Sequence, residues 1–123
     1  MATGKRLQAA VLGLAAIGCA AYGIYHEAHM QAVAKDSARQ ASDGQELFAA
    51  MCQTCHGRGG DGSGGAPVLN SGATVRDYRD TGALAHFIRT RMPASDPGVL
   101  TRPEAWDLAL FINKLNHRLP GNP

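Results

Sequence analysis

Aromatic residues and cysteines are scarce in this chain of 123 residues. Three Phe, three Tyr and one Trp make up 6% of it. They are too few to build a large apolar core, so a bound apolar cofactor is expected to supply the missing mass. The three cysteines are an odd number, which argues against a disulfide framework. The net charge is also small. It is +2, and the eight basic residues from residue 43 onward are balanced by eight acidic ones. We therefore expect no nucleic-acid partner.

The N-terminal zone, residues 1–25, contains an apolar run without charge from Leu7 to Tyr25, preceded by Lys5 and Arg6. As a helix this run would span about 28 Å, close to the hydrocarbon thickness of a bilayer. It predicts a single-pass anchor in a bacterial inner membrane, with the N-terminus cytoplasmic because of the basic pair. A cleaved signal peptide and a lipoprotein site that leaves Cys19 lipidated are the alternatives. All three interpretations place the rest of the chain in the periplasm.

The remaining chain divides into a linker, residues 26–42, and a domain, residues 43–123. The linker is polar and rich in alanine. Asp43 and Glu46 have the spacing of a capping box and predict a helix start, as do Thr101 and Glu104. Six glycines between residues 57 and 65 predict a loop. No segment alternates with the period of two that strands show, so the predicted fold class is all-α.

Cys52 and Cys55 are separated by two residues and followed directly by His56, which is the C-x-x-C-H pattern of covalent haem attachment. Two thiols one helical turn apart can form thioethers with the two vinyl groups on one porphyrin edge, and the adjacent histidine can then reach the iron. A zinc site would need a second pair of ligands at defined spacing. A thioredoxin-like dithiol would need a βαβ context. The motif predicts one covalent haem c held by Cys52, Cys55 and His56, with His56 as an iron ligand.

Methionine is the common second axial ligand in electron-transfer cytochromes, because its thioether favours ferrous iron. Two of the four methionines lie outside the domain, and Met51 directly precedes the motif, too close to reach the opposite haem face. Met92 is thus the predicted second iron ligand, and His86 is the alternative. A gap-filling role in the core is the other interpretation of Met92.

Over residues 44–116 the chain resembles the class I c-type cytochromes, a family of small monohaem proteins. The resemblance rests on the motif and on the residues around it: Gly44, Phe48, Cys52 to Gly57, the glycines from Gly59 to Gly65, Pro67, Leu69, Met92-Pro93 and the helix from Trp106 to Asn113. It implies the small all-α class I cytochrome c fold around one covalent haem, here preceded by a transmembrane helix.

The resemblance also implies particular contacts. The carbonyl of Pro67 would accept the Nδ1 proton of His56, which fixes the ring and raises its basicity. Leu69 would pack on the haem edge. The first and last helices of the domain would cross closely at a glycine, with an aromatic filling the flank, through these residues: Gly44, Phe48, Leu108 and Phe111.

With both axial positions filled, the iron moves electrons and makes no bonds, so we expect an electron carrier that is not an enzyme by itself. It would carry single electrons between a redox protein donor and acceptor of a respiratory chain or dehydrogenase, at the outer face of the membrane. One alternative is a fixed haem subunit of a larger dehydrogenase or oxidase complex in the membrane. The other is a haem sensor or peroxidase with an open sixth site.

Overall fold

The structure is a computed structural model that describes the backbone of residues 2–119 and the side chains of residues 17–119. Every regular element in it is helical, and within these residues no strand occurs. The prediction of an all-α fold is confirmed. The helices are α1 (Ala2–Met51), α2 (Gln53–His56), α3 (Ala73–Arg76), α4 (Thr81–Arg91) and α5 (Arg102–Leu115), with a short 3₁₀ turn at Arg58–Gly60.

Helix α1 continues through the position where the sequence predicts a helix start. The capping box expected at Asp43 is wrong, because Asp43 lies inside α1 and its carboxylate is 3.7 Å from the guanidinium of Arg39, one turn earlier. Arg39 also lies 3.1 Å from Asp36. Residues 26–42 contain no Pro and no Gly, so nothing in them ends the helix. The acidic residue that resembles a cap therefore forms an ordinary pair on the helix surface.

The chain forms two compact units, Met1–Val33 and Ala34–Pro123. In the first unit, all side chains from residue 17 to residue 33 are exposed. In the part of the chain whose side chains are described, no helix is long and apolar enough to cross a membrane. The predicted span from Leu7 to Tyr25 begins among residues 1–16, whose side chains lie outside that part.

The second unit begins with the last third of α1, which buries a stripe of small residues. Ser37, Ala41 and Gly44 follow one another at helical spacing on this stripe and are all buried. The compact unit consequently starts before residue 43, inside the segment that the sequence describes as a linker.

Helices α1 and α5 cross at Gly44, as the resemblance implies. A Cβ atom at Gly44 would overlap the carbonyl group of Asp107 and lie 2.9 Å from the backbone nitrogen of Leu108. Only a residue without a side chain allows the two backbones to approach this closely. One turn further along α1, the rings of Phe48 and Phe111 pack with their centroids 5.2 Å apart. The predicted crossing is confirmed.

Helix α5 also packs against α4 and carries much of the core. It begins at the predicted capping box, which is confirmed: the Thr101 N–H donates to Glu104 Oε2 at 2.8 Å, and the Glu104 N–H donates to Thr101 Oγ1 at 3.4 Å. Asn113, buried on α5, donates to Thr81 Oγ1 on α4 at 3.0 Å. The apolar core contains Phe48, Leu69, Val75, Leu84, Ala85, Ile88, Leu100, Ala105, Leu108, Ala109, Phe111 and Ile112.

Candidate functional site

The C-x-x-C-H motif lies at the end of α1 and on the short helix α2. Cys52 caps α2, and its own N–H donates to the Phe48 carbonyl at 2.9 Å, so α1 holds it in place. The His56 N–H donates to the Cys52 carbonyl at 2.9 Å, which closes one helical turn around the motif. Within the described residues, neither cysteine forms a disulfide. The two sulfur atoms and the imidazole therefore start from a single turn of backbone.

The two thiols lie in different surroundings. Cys52 is half-buried and packs against the apolar core, whereas Cys55 is exposed. Burial, with a smaller contribution from the nearby Cys55, raises the pKa of the Cys52 thiol to about 11. Cys52 consequently marks the inner edge of the site and Cys55 the outer edge.

His56 is held by one hydrogen bond across the following loop. Its Nδ1 atom lies 2.9 Å from the carbonyl oxygen of Pro67, the contact that the resemblance implies. Because a carbonyl only accepts, the proton of the neutral ring is on Nδ1, and Nε2 keeps its lone pair. A histidine in this tautomer can offer Nε2 to a metal while the carbonyl fixes the plane of the ring.

The glycine-rich loop folds back over the motif. The Gly62 N–H donates to the His56 carbonyl at 2.7 Å, and the Ala66 N–H donates to the Cys55 carbonyl at 2.9 Å. At Gly64, a Cβ atom would overlap the backbone carbonyls of Thr54 and Cys55. The loop can lie this close to α2 only because residue 64 lacks a side chain.

Leu69 and Met92 reach the same apolar cluster as Cys52. Leu69 is buried in it, and its N–H donates to the Gly60 carbonyl at 2.7 Å. Met92 caps the C-terminus of α4 and packs half-buried against the cluster. The other candidate ligand, His86, is exposed on α4. The fold therefore places Met92, and not His86, against the apolar cluster that Cys52 also contacts.

The donor set fits a covalently attached haem. It offers two thiols one turn apart, an imidazole with Nε2 available, a thioether in the adjoining core and apolar side chains beside them. Among the described side chains, no three His, Cys, Asp or Glu residues gather into one group. Cys52 and Cys55 would hold such a haem through thioethers, and His56 would bind its iron through Nε2.

Comparison with known proteins identifies the family. The profile of the family described as "Cytochrome C oxidase, cbb3-type, subunit III" matches residues 39–112. The chain belongs to this family. It is thus a c-type cytochrome whose cofactor is covalently bound haem c, and both predictions are confirmed.

Two curated relatives of this cytochrome are both named thiosulfate dehydrogenase. The protein of Psychrobacter arcticus is 30% identical over 89 residues, and that of Stutzerimonas stutzeri is 31% identical over 91 residues. Each alignment covers 65% of the cytochrome but only 27% and 28% of the respective relatives. The chain spans just over a quarter of the length of these relatives. No solved structure matches it.

The sequence does not indicate the residues that hold the loop carrying Pro67. The side chains of Asn116 and Arg118, which follow α5, bond to backbone atoms of residues 69–75. No local pattern marks them, because their partners lie more than forty positions away in the sequence.

Proposed function

We propose that this cytochrome carries single electrons between a redox donor and a redox acceptor. The observation that carries the proposal is the hydrogen bond of His56 Nδ1 to the Pro67 carbonyl at 2.9 Å. It leaves Nε2 available on a ring that cannot rotate freely. Bound haem supplies an iron that changes between the ferrous and ferric states. An axial ligand held in one orientation suits such an exchange, because little has to move when the electron arrives.

Each residue of the site has a role in this proposal. Cys52 and Cys55 would form the thioethers, so that the haem stays in place through each change of charge. His56 would bind the iron through Nε2, and Met92 would supply a second ligand whose thioether raises the reduction potential. Leu69 would pack on the haem edge and exclude water from it.

Replacement of Met92 tests the proposal. With Met92→Ala the absorption band typical of methionine ligation is expected to disappear, the reduction potential to fall, and carbon monoxide to bind the ferrous protein. Met51→Ala is the matched control, because Met51 is exposed and belongs to no core contact. A wild-type protein that is high-spin and binds carbon monoxide readily would instead favour a sensor or peroxidase with an open sixth site.

We also propose that the cytochrome is tethered to the bacterial inner membrane, with the haem domain in the periplasm. The support is the apolar run from Leu7 to Tyr25 behind a basic pair. Within it, the side chains of Ile17, Tyr22 and Ile24 are exposed. A tether raises the effective concentration of the carrier near its partners. Intact mass of the protein purified from membranes distinguishes a retained anchor from a cleaved signal and from lipidation at Cys19.

A fixed place in a larger dehydrogenase or oxidase complex is the second candidate. The match to a family described as an oxidase subunit favours it, as do the relatives named thiosulfate dehydrogenase, of which this chain spans just over a quarter. Migration in mild detergent separates the candidates. A subunit migrates with larger proteins that carry further redox centres, whereas a free carrier migrates alone.

A further inference from the structure

The loop that carries Pro67 is fastened on two sides. On the side of the motif, the Leu69 N–H donates to the Gly60 carbonyl at 2.7 Å, and Asn70 Nδ2 donates to the Gly59 carbonyl at 3.1 Å. These two bonds join the loop to the short 3₁₀ turn Arg58–Gly60. Neither ties the Pro67 carbonyl to a long helix, which is the kind of element that can hold an atom in a fixed position.

On the other side, Asn116 fastens the loop to the end of α5, and Arg118 bonds further along, to the Val75 carbonyl. Asn116 Nδ2 donates to the Leu69 carbonyl at 2.7 Å and to the Ile112 carbonyl at 2.7 Å, and Asn116 Oδ1 accepts the Gly72 N–H at 2.7 Å. One amide thereby bonds to the last turn of α5 and to two points of the loop. All three bonds are short and partly shielded from water, which makes them stronger than exposed bonds.

The fastened residue Leu69 is two positions from Pro67, whose carbonyl accepts the His56 proton at 2.9 Å. A rigid path therefore runs from α5 through Asn116 to Leu69, then along two peptide units to Pro67 and His56. A hydrogen bond to the second nitrogen of an axial histidine makes the ring a better electron donor to the metal. The length of that bond depends on where Pro67 is held.

We propose that Asn116 is a positioning residue for His56, which acts through Leu69 and Pro67 to set the strength of the bond at Nδ1. The inference rests on the proposed function, in which His56 is the iron ligand. Loss of the Asn116 amide frees the loop, lengthens the bond at Nδ1 and makes the imidazole a weaker donor. A weaker donor stabilises ferric iron less, so the reduction potential rises.

The test compares Asn116→Ala with Asn113→Ala in the full-length protein with haem attached. Asn113 is the matched control, because it is the same residue type three positions earlier, in the last turn of α5. It is buried and donates one bond of 3.0 Å, but to Thr81 on α4. Two quantities are measured: the reduction potential, and the exchange rate of the His56 Nδ1 proton in nuclear magnetic resonance spectra of the reduced protein. Asn116→Ser, whose hydroxyl can still bond to the Ile112 carbonyl, replaces the alanine variant if that variant does not fold.

We expect Asn116→Ala to raise the reduction potential of the haem. We also expect it to speed exchange of the His56 Nδ1 proton on the order of tenfold, which is the effect of one lost hydrogen bond. Asn113→Ala is expected to lower the melting temperature while both quantities stay at the wild-type values. Equal shifts in the two variants would overturn the proposal, since Asn116 would then contribute stability alone. If His56 does not bind iron in the wild-type protein, the proposed function itself fails. The spectra of the wild-type protein show whether His56 is a ligand before any variant is compared.

Discussion

Replacing Gly44 with alanine adds one methyl group where α1 crosses α5. That methyl would overlap the carbonyl group of Asp107 and lie 2.9 Å from the Leu108 nitrogen, whereas non-bonded carbon atoms are comfortable at about 3.5–4.0 Å. The obstacle is backbone and cannot rotate away, so the helices have to separate. Overpacking of this kind costs about 1–3 kcal/mol, and occasionally more.

Two further contributions decide how much the free energy of unfolding changes in Gly44→Ala. Separation weakens the contact of Phe48 with Phe111, whose centroids are 5.2 Å apart, and such aromatic pairs contribute about 0.5–1.5 kcal/mol beyond their buried area. Alanine in turn favours the helix by about 1 kcal/mol over glycine. We expect Gly44→Ala to lower the free energy of unfolding by about 2 kcal/mol. For a domain of this size the melting temperature would fall by about 8–16 °C.

Thermal unfolding of the haem-loaded protein, followed by circular dichroism and by haem absorbance, measures the effect. Gly23→Ala is the matched control, because it makes the same substitution in α1 at a position with nothing within 4 Å of the added Cβ atom. The control is expected to melt at the wild-type temperature or slightly above it. A Gly44→Ala protein that melts no lower than the control would show that the two backbones do not meet at residue 44.

Two other predictions concern α5. Thr101→Ala removes the side-chain cap of this helix and should lower the free energy of unfolding by about 1 kcal/mol, measured by urea unfolding; Thr101→Ser keeps the hydroxyl and should stay near the wild type. The pKa of Asp107 is raised, mainly by burial and then by the nearby Asp43. The fold therefore favours the protonated carboxyl, and stability is lost as the pH rises through this raised pKa. Asp107→Asn should therefore be more stable than the wild type at neutral pH and equally stable in acid. If the variant were more stable in acid as well, the cost of the charged Asp107 carboxylate would not be the cause.

The sequence predicts those parts of this cytochrome that depend on neighbours along the chain. The C-x-x-C-H motif and the Thr101 capping box are complete within a few residues, so they can be read directly. The helix start predicted at Asp43 was wrong, because Asp43 has the spacing of a cap but pairs with Arg39 inside a continuous helix. Asn116 was missed for a different reason: its partners on the loop are distant in the sequence.

The crossing of α1 with α5 has a consequence for the order in which the chain can fold. The two residues that meet at this crossing, Gly44 and Asp107, lie before and after the whole haem-binding segment in the sequence. The segment therefore remains an open loop until α5 packs against α1. Because the chain is synthesised from its N-terminus, this loop cannot close before α5 has been made. Contacts between residues so distant in the sequence also form slowly. The cysteines thus stay accessible until α5 packs against α1, and a chain truncated before α5 would lose the closure altogether.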